Sequence, residues 1–108
     1  MEINIAKEYT TSPGPRHIDQ GEFSGEHFRE TLLKPRFSKA LEQGEKLIIN
    51  LDGGYGYPTS FLDEAFGGLA RQLSSEVVLK NIELISDEEP SLISEITNYS
   101  TNCNKRSN

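Results

Sequence analysis

The sequence predicts an α/β fold in which helices pack on a sheet that contains parallel strands. A short apolar run at residues 46–51 is followed by the clearest amphipathic helix of the chain, residues 60–73. A further strand, residues 79–85, and a last helix that starts in an acidic stretch and ends near residue 99 come next. Because strands that alternate with helices favour parallel pairing through right-handed crossovers, this order of elements predicts the fold class.

The first half of the chain predicts one strand and a helical region. Residues 2–6 alternate polar and apolar, which is the period of a half-buried strand, whereas residues 10–16 have the proline and glycine content of a turn. Ser24 is placed as the N-cap of a helix. Pro35 is expected to break or kink that helix, and Gly44 is expected to end the second helical stretch.

The second half predicts the centre of the sheet and its main helix. Residues 46–51 are bounded by glycines and indicate a strand buried on both faces. Ser60 and Asp63 resemble a capping box at the start of the following helix. Gly67 and Gly68 lie inside that helix, where each costs about 1 kcal/mol relative to alanine. They indicate close approach of another backbone, either from the sheet or from a partner.

Length and charge restrict the classes of function. The 108 residues are enough for one domain, expected at 1–99, with a polar and disordered tail at 100–108. A net charge of −6 disfavours nucleic-acid binding. No apolar run is long enough to cross a membrane or act as a signal peptide. The single Cys103 lies in the polar tail and fits a reducing compartment, so we expect a cytoplasmic location.

Two stretches of the chain resemble a known bacterial family. They are residues 23–35, FSGEHFRETLLKP, and residues 51–69, LDGGYGYPTSFLDEAFGGL. Together they resemble the STAS-like family of unknown function, named for its similarity to sulfate-transporter and anti-sigma-factor-antagonist domains. The resemblance covers roughly residues 1–97. It implies a mixed sheet of four or five strands, with helices packed mainly on one face. It also implies protein–protein signalling, because anti-sigma-factor antagonists bind a kinase of the histidine-kinase ATPase fold.

The resemblance points to a phosphoacceptor at the start of the main helix. In classical antagonists the partner kinase phosphorylates a serine at this position, which here is occupied by Thr59 and Ser60. The flanking residues differ from the classical pattern, because Pro58 precedes Thr59 and Phe61 follows Ser60. The alternative is that one hydroxyl is simply an N-cap, worth about 1 kcal/mol.

The loop between strand and helix has three interpretations. As a partner-facing loop, it would use its tyrosines as interface anchors. As a simple turn, it would need its glycines only for positive φ angles. As an anion cradle, it would use Arg16, Gly53 and Gly54. The partner-binding surface predicted from the first interpretation consists of Tyr55, Tyr57, Pro58, Ser60, Asp63 and Glu64.

The sequence contains no pattern that positively indicates catalysis or metal binding. Acidic residues at 63–64 and 87–89 could act as acid and base or hold a divalent ion, but a favourable position in the first turn of a helix explains them as well. His17 and His27 have no metal-ligand spacing, and no nucleophile motif is present. We therefore expect neither an enzyme nor a metal- or cofactor-binding protein.

The favoured function is that of a small regulatory module that binds another protein. The family resemblance suggests an ATP-binding kinase of the histidine-kinase fold as the partner, and a homodimer is a further alternative. A different class of function is a small anion- or nucleotide-sensing domain that uses the glycine-rich loop at residues 52–60.

Overall fold

The computed structural model describes residues 1–103 as a three-stranded parallel sheet, in the order β1-β2-β3, covered by helices. The elements, in chain order, are β1 (Glu2–Asn4), α1 (Ile5–Glu8), a 3-10 turn (Ile18–Gln20), α2 (residues 25–42), β2 (Leu47–Asn50), α3 (residues 59–72), α4 (Ser75–Asn81), β3 (Ile82–Ile85) and α5 (Ser91–Thr101). The α/β class is confirmed. A mixed sheet of four or five strands is not found in this part of the chain, where three strands pair and both pairings are parallel.

Helix α2 begins where the sequence predicts and continues through the proline. The Ser24 side chain accepts a hydrogen bond of 3.0 Å from the His27 N–H, which confirms the predicted cap. The predicted break at Pro35 is wrong, since the helix runs on to Glu42. A π-helical turn, Arg29–Leu33, lies directly before the proline. A π-helical turn shifts the backbone hydrogen bonds to a wider spacing, and proline has no N–H to donate to the preceding turn. The shifted bonds next to Pro35 allow the helix to stay continuous.

Two local predictions for the region of helices α3 and α4 differ from the structure. Helix α3 starts after Pro58 with no side-chain cap, so the predicted capping box of Ser60 and Asp63 is wrong. Ser74 then caps α4, because its hydroxyl accepts a hydrogen bond from the Val77 N–H at 3.0 Å. The predicted strand at residues 79–85 is therefore only its second half, Ile82–Ile85.

The core lies against one face of the sheet. The register places Ile3 beside Ile49, and Leu47 beside Ile82, and all four of these side chains are buried. The opposite face carries the half-buried Ile48. Strand β2 is thus fully buried on one face only, and the prediction of two buried faces is wrong because Ile48 and Asn50, on the second face, are half-buried.

The C-terminal helix extends the folded unit beyond residue 99. Helix α5 runs to Thr101, and the Cys103 thiol is buried 3.3 Å from the Ser75 hydroxyl. Residues 100–103 are therefore not a disordered tail, because they pack against the start of α4. The rest of the predicted tail, residues 104–108, lies outside the described residues.

Candidate functional site

The loops that follow the three strands meet at one edge of the sheet. All three strands are parallel, so their carboxyl ends share this edge, which is the usual place for binding sites in open α/β sheets. The loop after β2 is joined to the segment after β1, because the Tyr55 N–H donates a hydrogen bond of 2.9 Å to the Thr11 carbonyl. We call residues 52–60 the edge loop.

The edge loop is joined to the loop after β3 by reciprocal carboxylate bonds. The Asp52 carboxylate accepts hydrogen bonds from the N–H groups of Asp87 (3.2 Å) and Glu88 (2.9 Å). In return, the Gly53 N–H donates to Glu88 Oε1 at 2.8 Å. The acidic stretch at 86–89 is thus a loop that precedes α5, and not the helix start that we predicted. Its backbone N–H groups are used to fix the edge loop.

Two of the three residues of the predicted anion cradle, Gly53 and Arg16, are bound to carboxylates of the chain itself. Glu88 occupies the Gly53 N–H, and the Arg16 guanidinium lies 3.0 Å from Asp63 Oδ2. Gly54 packs instead against the backbone of Thr11, whose carbonyl oxygen would lie 3.2 Å from an added Cβ. A bound anion would have to displace these internal contacts.

The two tyrosines of the edge loop have different environments. The Tyr55 side chain is 88% exposed. Tyr57 is half-buried, donates a hydrogen bond of 2.9 Å to the Leu51 carbonyl, and packs against the Phe61 ring at 6.2 Å. Burial, and then the nearby charges of Asp52 and Glu88, raise the pKa of the Tyr57 hydroxyl. Tyr57 therefore supports the loop, while Tyr55 is the side chain available to a partner.

The hydroxyls at the start of α3 are accessible to different degrees. Pro58 and Thr59 are exposed, and Ser60 is half-buried. Neither hydroxyl caps the helix, because Pro58 occupies the N-cap position and no side-chain cap bond is formed. The N-cap interpretation of Thr59 and Ser60 is therefore wrong, and both remain candidate phosphoacceptors.

Asp63 and Glu64 belong to a buried ion-pair cluster. Their side chains are only 11% and 9% exposed. Glu64 Oε2 accepts a hydrogen bond of 2.8 Å from Arg29 Nη1, which also donates to the Glu64 carbonyl at 2.7 Å. Arg71 Nη2 lies 3.8 Å from Glu64 Oε1. Their assignment to partner binding stays a prediction, and in this structure arginines of the same chain already bind both carboxylates.

The charges around Glu64 favour the ionised form of its carboxyl. Burial alone raises the pKa of the Glu64 carboxyl, but the hydrogen bond and charge of Arg29, with the charges of His17 and Arg71, outweigh it and leave the pKa below the usual 4.5. Arg29 and Glu64 lie in the two π-helical turns, Arg29–Leu33 and Asp63–Gly67. Such turns are frequent at functional positions, although here they serve a pairing between helices.

The glycine pair of α3 makes room for this cluster. A Cβ on Gly68 would collide with Arg29 Nη1, and a Cβ on Gly67 would lie 2.9 Å from Asp63 Oδ1 and 3.2 Å from the Tyr99 carbonyl. The predicted close approach is therefore made by the Arg29 side chain and the α5 backbone, and not by the sheet. Arg29 was not among the site residues predicted from the sequence, and the glycine pair was the signal that could have led to it.

Among residues 1–103, no three histidine, cysteine, aspartate or glutamate side chains gather where they could hold a metal ion. None of the helices in that part of the chain has the length and apolar character needed to cross a bilayer. Tyr55 and Tyr57, with Asp52 and Glu88, line an open cavity of about 110 Å³ at the edge of the sheet.

The fold and the site define an α/β domain whose binding edge is built from loops at the carboxyl ends of parallel strands. A family model described as a STAS-like domain of unknown function matches residues 24–92. The chain belongs to this family. No curated protein and no solved structure matches it. The match starts at Ser24, the cap of α2, and includes the edge loop and both π-helical turns.

Proposed function

We propose that this chain is a regulatory module that binds a protein partner through the edge loop, with Tyr55 as the central anchor. The observation that carries the proposal is an 88% exposed tyrosine on a loop fixed by bonds to both neighbouring loops. Because the backbone of the loop is already fixed, binding orders little more than the Tyr55 side chain, and aromatic residues of this kind supply much of the affinity in protein interfaces. In this proposal the chain carries out no reaction of its own.

The charge around the anchor suggests the chemistry of the partner. Asp52 and Glu88 line the cavity beside Tyr55, and the whole chain carries a net charge of −6. A partner with a basic surface would be attracted, whereas two copies of this edge would repel each other. The proposed partner is an ATP-binding kinase of the histidine-kinase fold, on the basis of the family relationship. An anion or nucleotide sensor is less favoured, because Glu88 already binds the Gly53 N–H.

The test compares three forms of the full chain as bait for a partner. Wild-type, Tyr55→Ala and Leu41→Ala proteins would be immobilised and exposed to the same native lysate and to purified candidate kinases. Leu41 is the matched control, because it is a large apolar side chain that is 38% exposed near the end of α2. We expect Tyr55→Ala to weaken binding by at least tenfold, about 1.4 kcal/mol, with no loss for Leu41→Ala.

Two results would contradict this proposal. One is a partner that binds the wild-type and Tyr55→Ala proteins with equal affinity. The other is binding that does not weaken as salt is raised, since an acidic edge that attracts a basic partner must be screened. If the Leu41→Ala and wild-type proteins retain the partner equally, truncation of an exposed side chain does not by itself weaken binding.

Phosphorylation at Thr59 is the regulatory step that fits this surface best. Thr59 is exposed and follows Tyr55 within the edge loop, whereas Ser60 is half-buried. A phosphate there would add roughly two negative charges to the surface that we propose for binding. We expect Thr59→Asp to weaken partner binding and the uncharged Thr59→Asn to leave it unchanged. Phosphorylation that mass spectrometry places only at Ser60, after incubation with the bound kinase and ATP, would refute the choice of Thr59.

A further inference from the structure

Residues 14–23 form a closed surface loop, which we call the Ω-loop. The Gly14 N–H donates a hydrogen bond of 2.9 Å to the Phe23 carbonyl and so joins the two ends of the loop. None of the residues 14–23 is buried, whereas the flanking Pro13 and Ser24 are. A compact surface loop of this length whose ends lie close together is an Ω-loop.

Polar contacts hold the Ω-loop against the start of α2. The Pro15 and Arg16 carbonyls accept hydrogen bonds from the N–H groups of Gly25 (2.9 Å) and Glu26 (3.0 Å). The Glu26 carboxylate accepts a hydrogen bond of 3.0 Å from the Ile18 N–H. The loop thus satisfies N–H groups in the first turn of α2, which have no partner within the helix.

A second attachment joins the Ω-loop to α3. Arg16 Nη1 lies 3.0 Å from Asp63 Oδ2 and 3.5 Å from Glu64 Oε1. The guanidinium is partly exposed, while both carboxylates are nearly buried. Arg16 therefore lies over the acid pair and separates it from the surface.

Apolar burial in the Ω-loop is only partial, although the Phe23 ring packs edge-on against the Tyr9 ring with centroids 5.5 Å apart. The two large apolar side chains of the loop, Ile18 and Phe23, remain 52% and 41% exposed. Phe23 also has a φ angle of 55°, a left-handed conformation that is unfavourable for a residue other than glycine. Polar contacts near the surface contribute less than core packing, so the loop is less firmly held than the sheet and helices.

We propose that the Ω-loop is a strap that opens independently of the rest of the fold, with Arg16 as its latch. In the closed form it covers Asp63, Glu64 and the first turn of α2. Opening turns it about Pro13 and Ser24 and uncovers the acid pair, while the sheet and the helical core stay intact. The strap thereby controls access to a charged surface that lies outside the edge loop.

Native-state hydrogen exchange can test whether the strap opens independently, because some amides report on the strap and others on the sheet. The Gly25 and Glu26 N–H groups bond only across the strap boundary in this region, to Pro15 and Arg16. The Leu51 N–H, bonded to the Ile85 carbonyl at 2.8 Å, reports on the sheet. We expect the first two amides to exchange at least a hundredfold faster than Leu51, relative to their unstructured rates, and with little dependence on denaturant.

Two variants distinguish opening of the strap from unfolding of the whole domain. Arg16→Gln weakens the latch and should speed exchange at Gly25 and Glu26 by about tenfold. Ile49→Val, a small deletion in the buried centre of β2, should speed exchange at Leu51 severalfold and leave Gly25 and Glu26 unchanged. Opening of the strap does not break the contacts of Ile49, whereas global unfolding does.

The proposal is overturned if Ile49→Val speeds all three amides by the same factor, because the strap would then open only when the whole domain unfolds. Equal denaturant dependence of Gly25 and Leu51 in the wild-type protein would overturn it as well. Unchanged exchange at Gly25 and Glu26 in Arg16→Gln would remove Arg16 from the role of latch.

Discussion

Replacement of Gly68 by alanine sets two physical effects against each other. In an ordinary helix interior, alanine is more stable than glycine by about 1 kcal/mol. Here the added Cβ would overlap with Arg29 Nη1 and lie 3.1 Å from Arg29 Cζ. The sign of the change in stability therefore shows whether the position is governed by helix propensity or by the buried arginine.

The contacts of Arg29 set the expected magnitude. Its Nη1 atom donates to the Glu64 carbonyl at 2.7 Å and to Glu64 Oε2 at 2.8 Å. Displacement of the guanidinium weakens both bonds, and hydrogen bonds to charged groups contribute about 1.5–3 kcal/mol each. A loss of about 3–6 kcal/mol, less the gain of about 1 kcal/mol from helix propensity, leaves a destabilisation of about 2–5 kcal/mol.

Urea unfolding followed by circular dichroism measures this change. The control is Gly68→Ala in an Arg29→Met background, where a flexible apolar side chain replaces the rigid guanidinium. There we expect alanine to be neutral or stabilising, so a double-mutant cycle should give a coupling of at least about 2 kcal/mol. A single Gly68→Ala variant that unfolds at a higher urea concentration than wild type would refute the reasoning.

Three further predictions concern stability, acid sensitivity and thiol access. Tyr57→Phe removes the hydrogen bond to the Leu51 carbonyl and should cost about 1 kcal/mol in urea unfolding, and an unchanged midpoint would contradict a supporting role. The pKa of Glu64 is lower in the folded than in the unfolded state, so its contribution to stability is present above the unfolded pKa and lost as the pH falls through the folded pKa. Glu64→Gln should therefore make stability less dependent on pH below about 5, and a pH profile parallel to that of wild type would refute this. Cys103 is buried, so a thiol reagent should label native protein far more slowly than urea-unfolded protein, and equal rates would show that the end of α5 is open.

Local chemistry made several elements predictable from the sequence. The N-cap at Ser24 needs only a hydroxyl and the next turn of helix, and the end of α2 near Gly44 needs only a residue that accepts a φ of 69°. The contrast between Tyr55 and Tyr57 was also partly foreseeable, because a short loop over a small core cannot bury two aromatic rings. Interactions within a few residues decide these features, so the sequence carries them directly.

Features that depend on distant residues could not be predicted in the same way. The alternation in Leu79 to Ile85 fits a strand, but Ser74 and the packing of α4 against α5 make its first half helical. The one-sided burial of β2 depends on which sheet face the helices cover, and the apolar run alone does not determine that.

The α/β order, the family resemblance and the exposed aromatic loop could be read from the residues along the chain. The roles of Asp63 and Glu64 follow only from the way the chain folds. Read along the chain, they are polar residues near a helix start. In the fold, Arg29 and Arg16 reach them from segments 35 or more residues away and convert them into a buried ion-pair cluster. A charged side chain can be buried only when an opposite charge lies beside it, and here the fold brings that charge from a distant part of the chain.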